Sequence, residues 1–142
     1  MLDGNATSFD SIPTLSGPAA QGAQVILIYP CTIVVCDLDC MWFRQMEPEG
    51  PDTIHYKAAF CFPTSTVARP DFETVVQNYY KRAEAVIAED NSACDMQFAG
   101  LSQPFARTSR FSAREPLVHV IDNWILDRVF GPASTARREA AA

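Results

Sequence analysis

The stretch PDFETVVQNYYKRAEAVIAEDNSACDMQFAG, Pro70 to Gly100, carries its apolar residues on one helical stripe and sets a carboxylate in the middle of it. Phe72, Val75, Val76, Tyr79, Ala83, Val86 and Ile87 recur at spacings of three, four and seven behind Pro70, a natural first-turn residue. At about 100° per residue, Phe72, Ala83, Asp90 and Leu101 project to within roughly 40° of Tyr79. Asp95 projects to the opposite side and Glu89 to a flank, so the spacing predicts that Asp90 alone among these acids points inward. An ionised carboxylate withdrawn from water is unfavourable by several kcal/mol unless donors or a cation meet it. Asp90 therefore needs a partner: an arginine, a helix break at Asn91-Ser92 that it caps, or a metal.

Working outward, the runs Gln24 to Tyr29, Cys31 to Cys36 and Cys40 to Met46 are short, β-branched or aromatic, and punctuated by Pro30 and Asp37-Leu38-Asp39. After the turn Glu47 to Asp52, Ile54, Tyr56, Ala58, Phe60 and Phe62 alternate with His55, Lys57, Ala59 and Cys61, the pattern of a sheet with one covered face. A second helix opens at the capping box Ser112-Ala113-Arg114-Glu115, with Pro116 in its first turn, and Gly131-Pro132 ends it. Strands followed by helices predict an α+β domain in which a long helix and a C-terminal helix pack on a curved antiparallel sheet. Residues 1–23, rich in Gly, Ser, Ala and Pro, read as a surface segment laid against the body or a loose arm, and residues 132–142 as a disordered tail.

With 48% hydrophobic residues in 142, the chain can bury one core. A net charge of −6 and the lack of a basic cluster argue against nucleic acid as a partner. The longest apolar run, Val25 to Val35, is broken by Pro30, so no membrane span is expected, and without a basic N-terminal flank a cytoplasmic location is. Cys31, Cys36, Cys40, Cys61 and Cys94 match no zinc spacing and are read as reduced core residues. A mononuclear iron site would ordinarily join a carboxylate to two imidazoles. The two histidines, His55 and His119, fall at the edge of a strand and on the rim of a helix, and neither reads as a ligand.

Taken together, Glu89-Asp90, Asp95, Gly100-Leu101, Arg110-x-Ser112-x-x-Glu115 and Trp124 resemble the C-terminal signature of the alpha subunit of Rieske-type aromatic ring-hydroxylating oxygenases. Ile28-Tyr29-Pro30 and Pro48-Glu49-Gly50-Pro51 match the family's strand and turn, so the resemblance spans residues 20 to 130. It implies part of a helix-grip (START/Bet v 1-like) catalytic domain over residues 24–131. Asp90 matches the aspartate of the family's two-histidine, one-carboxylate Fe(II) centre. Gln97, on the same face two turns later, is either an ordinary partly buried amide or a side chain that orients a ligand or a water. The pattern departs where Phe98 stands for a usual glutamine and Gln103 for a usual serine.

The same resemblance implies a [2Fe-2S] Rieske cluster, but its Cys-x-His and Cys-x-x-His pairs are absent here, as is an upstream histidine pair. The chain is therefore expected to be a C-terminal portion of the enzyme, inactive alone. Its expected partners are a histidine-bearing N-terminal half, an electron-transfer reductase or ferredoxin, other alpha subunits in a trimer, and an aromatic or apolar substrate. Pocket walls are expected from Phe60, Phe62, Val86, Met96 or Phe98. The alternatives from other classes are a standalone module for a small apolar ligand and a truncated, functionless fragment.

Overall fold

Four β-branched and aromatic segments form the strands β1 (Gln24–Ile28), β2 (Thr32–Cys36), β3 (Met41–Pro48) and β4 (Ile54–Cys61). The computed structural model describes residues 8–107 and 110–131. The strands pair antiparallel in the order β1-β2-β3-β4, a plain meander. The turn expected at Asp37-Leu38-Asp39 is there, closed by the Asp37 N–H on the Cys40 carbonyl at 2.9 Å. Register places Val35, Trp42 and Phe60 in one row and Ile33, Arg44 and Ala58 in the next, so these six share the helix-facing side.

Behind the sheet come the short helices α1 (Thr64–Val67) and α2 (Phe72–Val75), then the long α3 (Gln77–Leu101). The predicted single helix is thus divided at Val76, which keeps helical angles (φ −60°, ψ −24°) and still donates to the Phe72 carbonyl at 2.8 Å. The stripe faces inward as expected as far as Ile87: Val76, Tyr79 and Ala83 are buried, and Ala83 and Ile87 pack on Val35, Trp42, Ile33 and Phe60. From Ala88 to Leu101 every residue is exposed. Helical projection gives a residue's direction but not how far the sheet extends beneath it.

Residues 107–131 belong to a separate compact unit. There α4 (Pro116–Phe130) starts later than the capping box implies, with Glu115 at its N-cap and no side-chain cap; ahead of it Glu115 accepts from the Ser112 N–H at 2.7 Å, and Ser112 Oγ accepts from the Arg114 N–H at 3.2 Å. Those hydrogen bonds hold the Glu115 carboxyl below its ordinary range. Gly131 ends the helix at φ 72°, a conformation suited to glycine. The predicted tail, residues 132–142, lies outside the described residues.

Within the predicted surface segment one side chain enters the core. Phe9 is 4% exposed and joins Cys40 and Tyr79 in the core, with ring centroids 5.4–5.7 Å from Tyr79, Phe62 and Phe72. Arg69 covers its ring from outside, with Cζ 5.5 Å from the centroid. A polar node fastens the insertion. The Tyr79 hydroxyl donates to Asp39 Oδ2 and accepts from the N–H groups of Ser8 and Phe9 at 3.1 and 3.0 Å; the Phe9 N–H also meets Asp39 Oδ2 at 3.2 Å. Asp39 is fully buried, and its Oδ1 has no hydrogen-bond partner among the described residues.

This node sets how the fold responds to alkali. Burial, then the nearby Asp39 and Asp37 carboxyls, push the Cys40 thiol well above its ordinary value of 9.0. Burial, then the hydrogen bond to Asp39, push the Tyr79 hydroxyl above its ordinary 10.0. Both groups keep protons in the folded chain that the unfolded chain releases, so their contribution is complete below the unfolded values and is lost as pH rises beyond them. The melting temperature is expected to fall steadily from pH 9.0 upward, and the fall to be shallower in Tyr79→Phe. A melting temperature that stays flat from there to about pH 11 refutes the assignment.

Candidate functional site

Asp90 lies one turn beyond Ile87 on the sheet-facing stripe, at the point where α3 leaves the covered region. Its carboxylate is not buried, as the sequence led one to expect, but 55% exposed, and it meets Arg44 of β3, whose Nη1 donates to Oδ2 at 2.9 Å. The arginine partner foreseen as the ordinary alternative is therefore present. No other hydrogen bond or ion pair engages Asp90 among the described residues, and Oδ1 has no partner there. Such an exposed pair contributes about 0–1 kcal/mol, so the helix does not depend on it.

Arg44 itself is held firmly. Its side chain is only 17% exposed, and its guanidinium lies 5.0 Å from the Trp42 ring, two residues earlier on the same face of the strand. Trp42 in turn stacks on Phe60 at 5.4 Å and 7°. The small side chain of Ala58, opposite Arg44 in register, leaves room beside the guanidinium. The Arg44 Nε–H is buried without a hydrogen-bond partner among the described residues. Sequence reasoning passed over this residue, although Trp42 and Arg44 two apart on an inward face are a detectable period-two signal.

The remaining candidates have other surroundings. Gln97 is exposed two turns further along α3, about 10 Å away along the axis. His55 is exposed and pairs with Glu49 Oε1 at 3.1 Å; His119 Nε2 lies 2.9 Å from Asn123 Nδ2 on α4. No group of three His, Cys, Asp or Glu side chains suited to a metal occurs among the described residues. Of the five cysteines, all free, only Cys40 is a core residue; Cys61 and Cys94 are exposed, because one lies on the uncovered sheet face and the other beyond the sheet's cover. Of the expected pocket walls, Phe60 and Phe62 are packed into the aromatic core around Phe9 and Tyr79, whereas Met96 and Phe98 are exposed. A cavity lined by Asp37, Trp42, Phe60, Tyr79, Arg82 and Ala83 measures about 10 Å³, space for one water. Burial there raises the Asp37 carboxyl above its ordinary range, although Arg82 opposes the shift.

An antiparallel meander crossed by a long helix whose far half carries an outward-open carboxylate defines the class: an α+β sheet-and-helix domain with an acidic position at the helix rim. The family model for the ring hydroxylating alpha subunit (catalytic domain) matches residues 2–131. The chain belongs to that family. No curated protein and no solved structure matches it. The matched stretch takes in the N-terminal segment that seats Phe9. No helix among the described residues is long and apolar enough to cross a membrane.

Proposed function

We propose that Asp90 is the carboxylate ligand of a mononuclear Fe(II) centre whose two imidazoles come from a histidine-bearing chain or segment outside these 142 residues. The completed centre hydroxylates an aromatic or other apolar substrate with O2. The observation that carries this reading is the Asp90 carboxylate itself, which reaches solvent and has one oxygen without a partner among the described residues; the sequence resemblance assigns that position the family's aspartate. A hard oxygen donor of this kind fits Fe(II) beside imidazoles, as one donor of a site the described residues do not complete. When bound, the iron supplies oxygen activation, with electrons from a Rieske cluster fed by a reductase or ferredoxin. This chain's part is to hold the carboxylate on a rigid helix and to offer Gln97 for orienting a ligand or a water. The cavity beneath α3 is too small for an apolar ligand, so a small-ligand module draws no support from it.

Co-expression with a histidine-bearing N-terminal half tests the proposal. The expected result is a complex that retains iron and shows NADH-linked oxygen uptake. A stable complex that holds no iron and consumes no oxygen overturns it.

A further inference from the structure

We propose that the outer edge of β1 is an interface for a second copy of this chain, strand against strand about a two-fold axis at Ile26. Register fixes which backbone groups that edge offers. The Met46 N–H donates to the Cys31 carbonyl and the Asp37 N–H to that of Cys40, so the odd-numbered residues of β2 bond to β3. Thr32, Val34 and Cys36 therefore bond to β1, where their partners are Ile28, Ile26 and Gln24. The N–H and C=O groups of Val25 and Leu27 are left pointing outward, and no strand lies beyond them among the described residues.

The two edges of the sheet differ. β4 carries exposed polar and charged side chains, with Lys57 paired to Glu47 at 3.0 Å and His55 to Glu49 at 3.1 Å, the usual guard against further strand pairing. β1 has neither charge nor proline, and Val25, Ile26, Leu27 and Ile28 are 36–69% exposed. The strand is also its own complement. Turned antiparallel about Ile26, Val25 meets Leu27 of the second copy in a hydrogen-bonded pair, and Leu27 meets Val25, which makes four N–H···O=C bonds. Ile26 faces its own counterpart in the closer, non-hydrogen-bonded position between them. Residues directly opposite share a face, so the rows of Val25 with Val35 and of Leu27 with Ile33 continue across the axis on the helix side. Each copy then presents only its guarded β4 edge, and the assembly closes at two. One such strand pair buries on the order of 700 Å² in total, the size of a weak, reversible association, with a dissociation constant of about 10–100 µM.

Sedimentation equilibrium of the full chain, from well below to well above that constant, tests the proposal. The mass is expected to rise from that of one chain to that of two. Amide exchange at Val25 and Leu27 should slow as concentration rises, whereas Ile26, bonded to β2 within each copy, stays protected throughout. Val25→Pro removes an N–H that only the second copy uses, and Ile26→Lys sets two ammonium groups opposite each other at the axis. Each is expected to weaken association roughly tenfold or more while the dilute chain keeps its melting temperature. Ile54→Lys, on the β4 edge, should leave association unchanged. The amide exchange needs no substitution, so it decides the matter even where a variant fails to fold. A chain that stays monomeric over the whole range, or that sediments as three copies, overturns the proposal. So does a dimer as tight in both β1 variants as in wild type, or a monomer whose Val25 and Leu27 amides become protected only when a histidine-bearing half is added.

Discussion

Replacing Phe9 by alanine is expected to destabilise the fold by about 3–5 kcal/mol, the usual range for deleting a fully enclosed phenyl ring. Three rings, those of Tyr79, Phe62 and Phe72, pack within 5.7 Å of it, and Arg69 closes the outer side. Tyr79 is tied to Asp39 and Phe72 is carried on α2, which limits how far the surrounding rings can close the gap. The Phe9 N–H keeps its bonds to Tyr79 and Asp39 in the variant, so the loss isolates the ring. Against a typical total of about 5–15 kcal/mol the change is large, and at a few degrees per kcal/mol it corresponds to roughly 10 °C in melting temperature. Thermal and urea unfolding of Phe9→Ala beside wild type read it directly. A change below about 1 kcal/mol means that the segment rests on the surface, as its composition suggests, and that the aromatic core closes without it.

The contrast between Phe9 and the strands shows where sequence pattern carries information. Alternation in Ile54 to Cys61 and the punctuation at Asp37 to Asp39 are local signals, and the sheet follows them to within one or two residues. The stripe from Phe72 to Ile87 is legible for the same reason: each inward residue is set by its neighbours three and four away. A lone phenylalanine among Gly, Ser and Pro has no such neighbours. Its burial is decided by a cavity assembled from Phe62, Phe72 and Tyr79, more than fifty residues away. At the candidate site the limit is of another kind. The direction of Asp90 was correct, since it does face Arg44, but its depth was not, because β1 to β4 do not reach under the second half of α3.

Depth also decides what mutation of Asp90 does. Were the carboxylate buried against Arg44, Asp90→Ala would strand a charge and unfold the domain, and loss of function would say nothing about a ligand. Because the carboxylate is 55% exposed, Asp90→Ala and Asp90→Asn are expected to cost only about 1 kcal/mol, through the Arg44 side chain left without its partner. In the complex with the histidine-bearing half, the same substitutions are expected to remove iron and oxygen uptake together. The loss of iron affinity should exceed the roughly 10–100-fold that follows removal of an outer hydrogen-bond partner, since a direct donor is gone. Glu89→Gln and Asp95→Asn, one position before and five after, remove the same charge from other sides of α3 and should retain both iron and uptake. Iron content by elemental analysis, with melting temperature measured on the same samples, separates the outcomes. If all three positions lose iron equally, the effect is general electrostatics at an acidic helix. If Asp90 variants keep it, the carboxylate is only the salt-bridge partner of Arg44, and the iron takes its oxygen ligand from elsewhere.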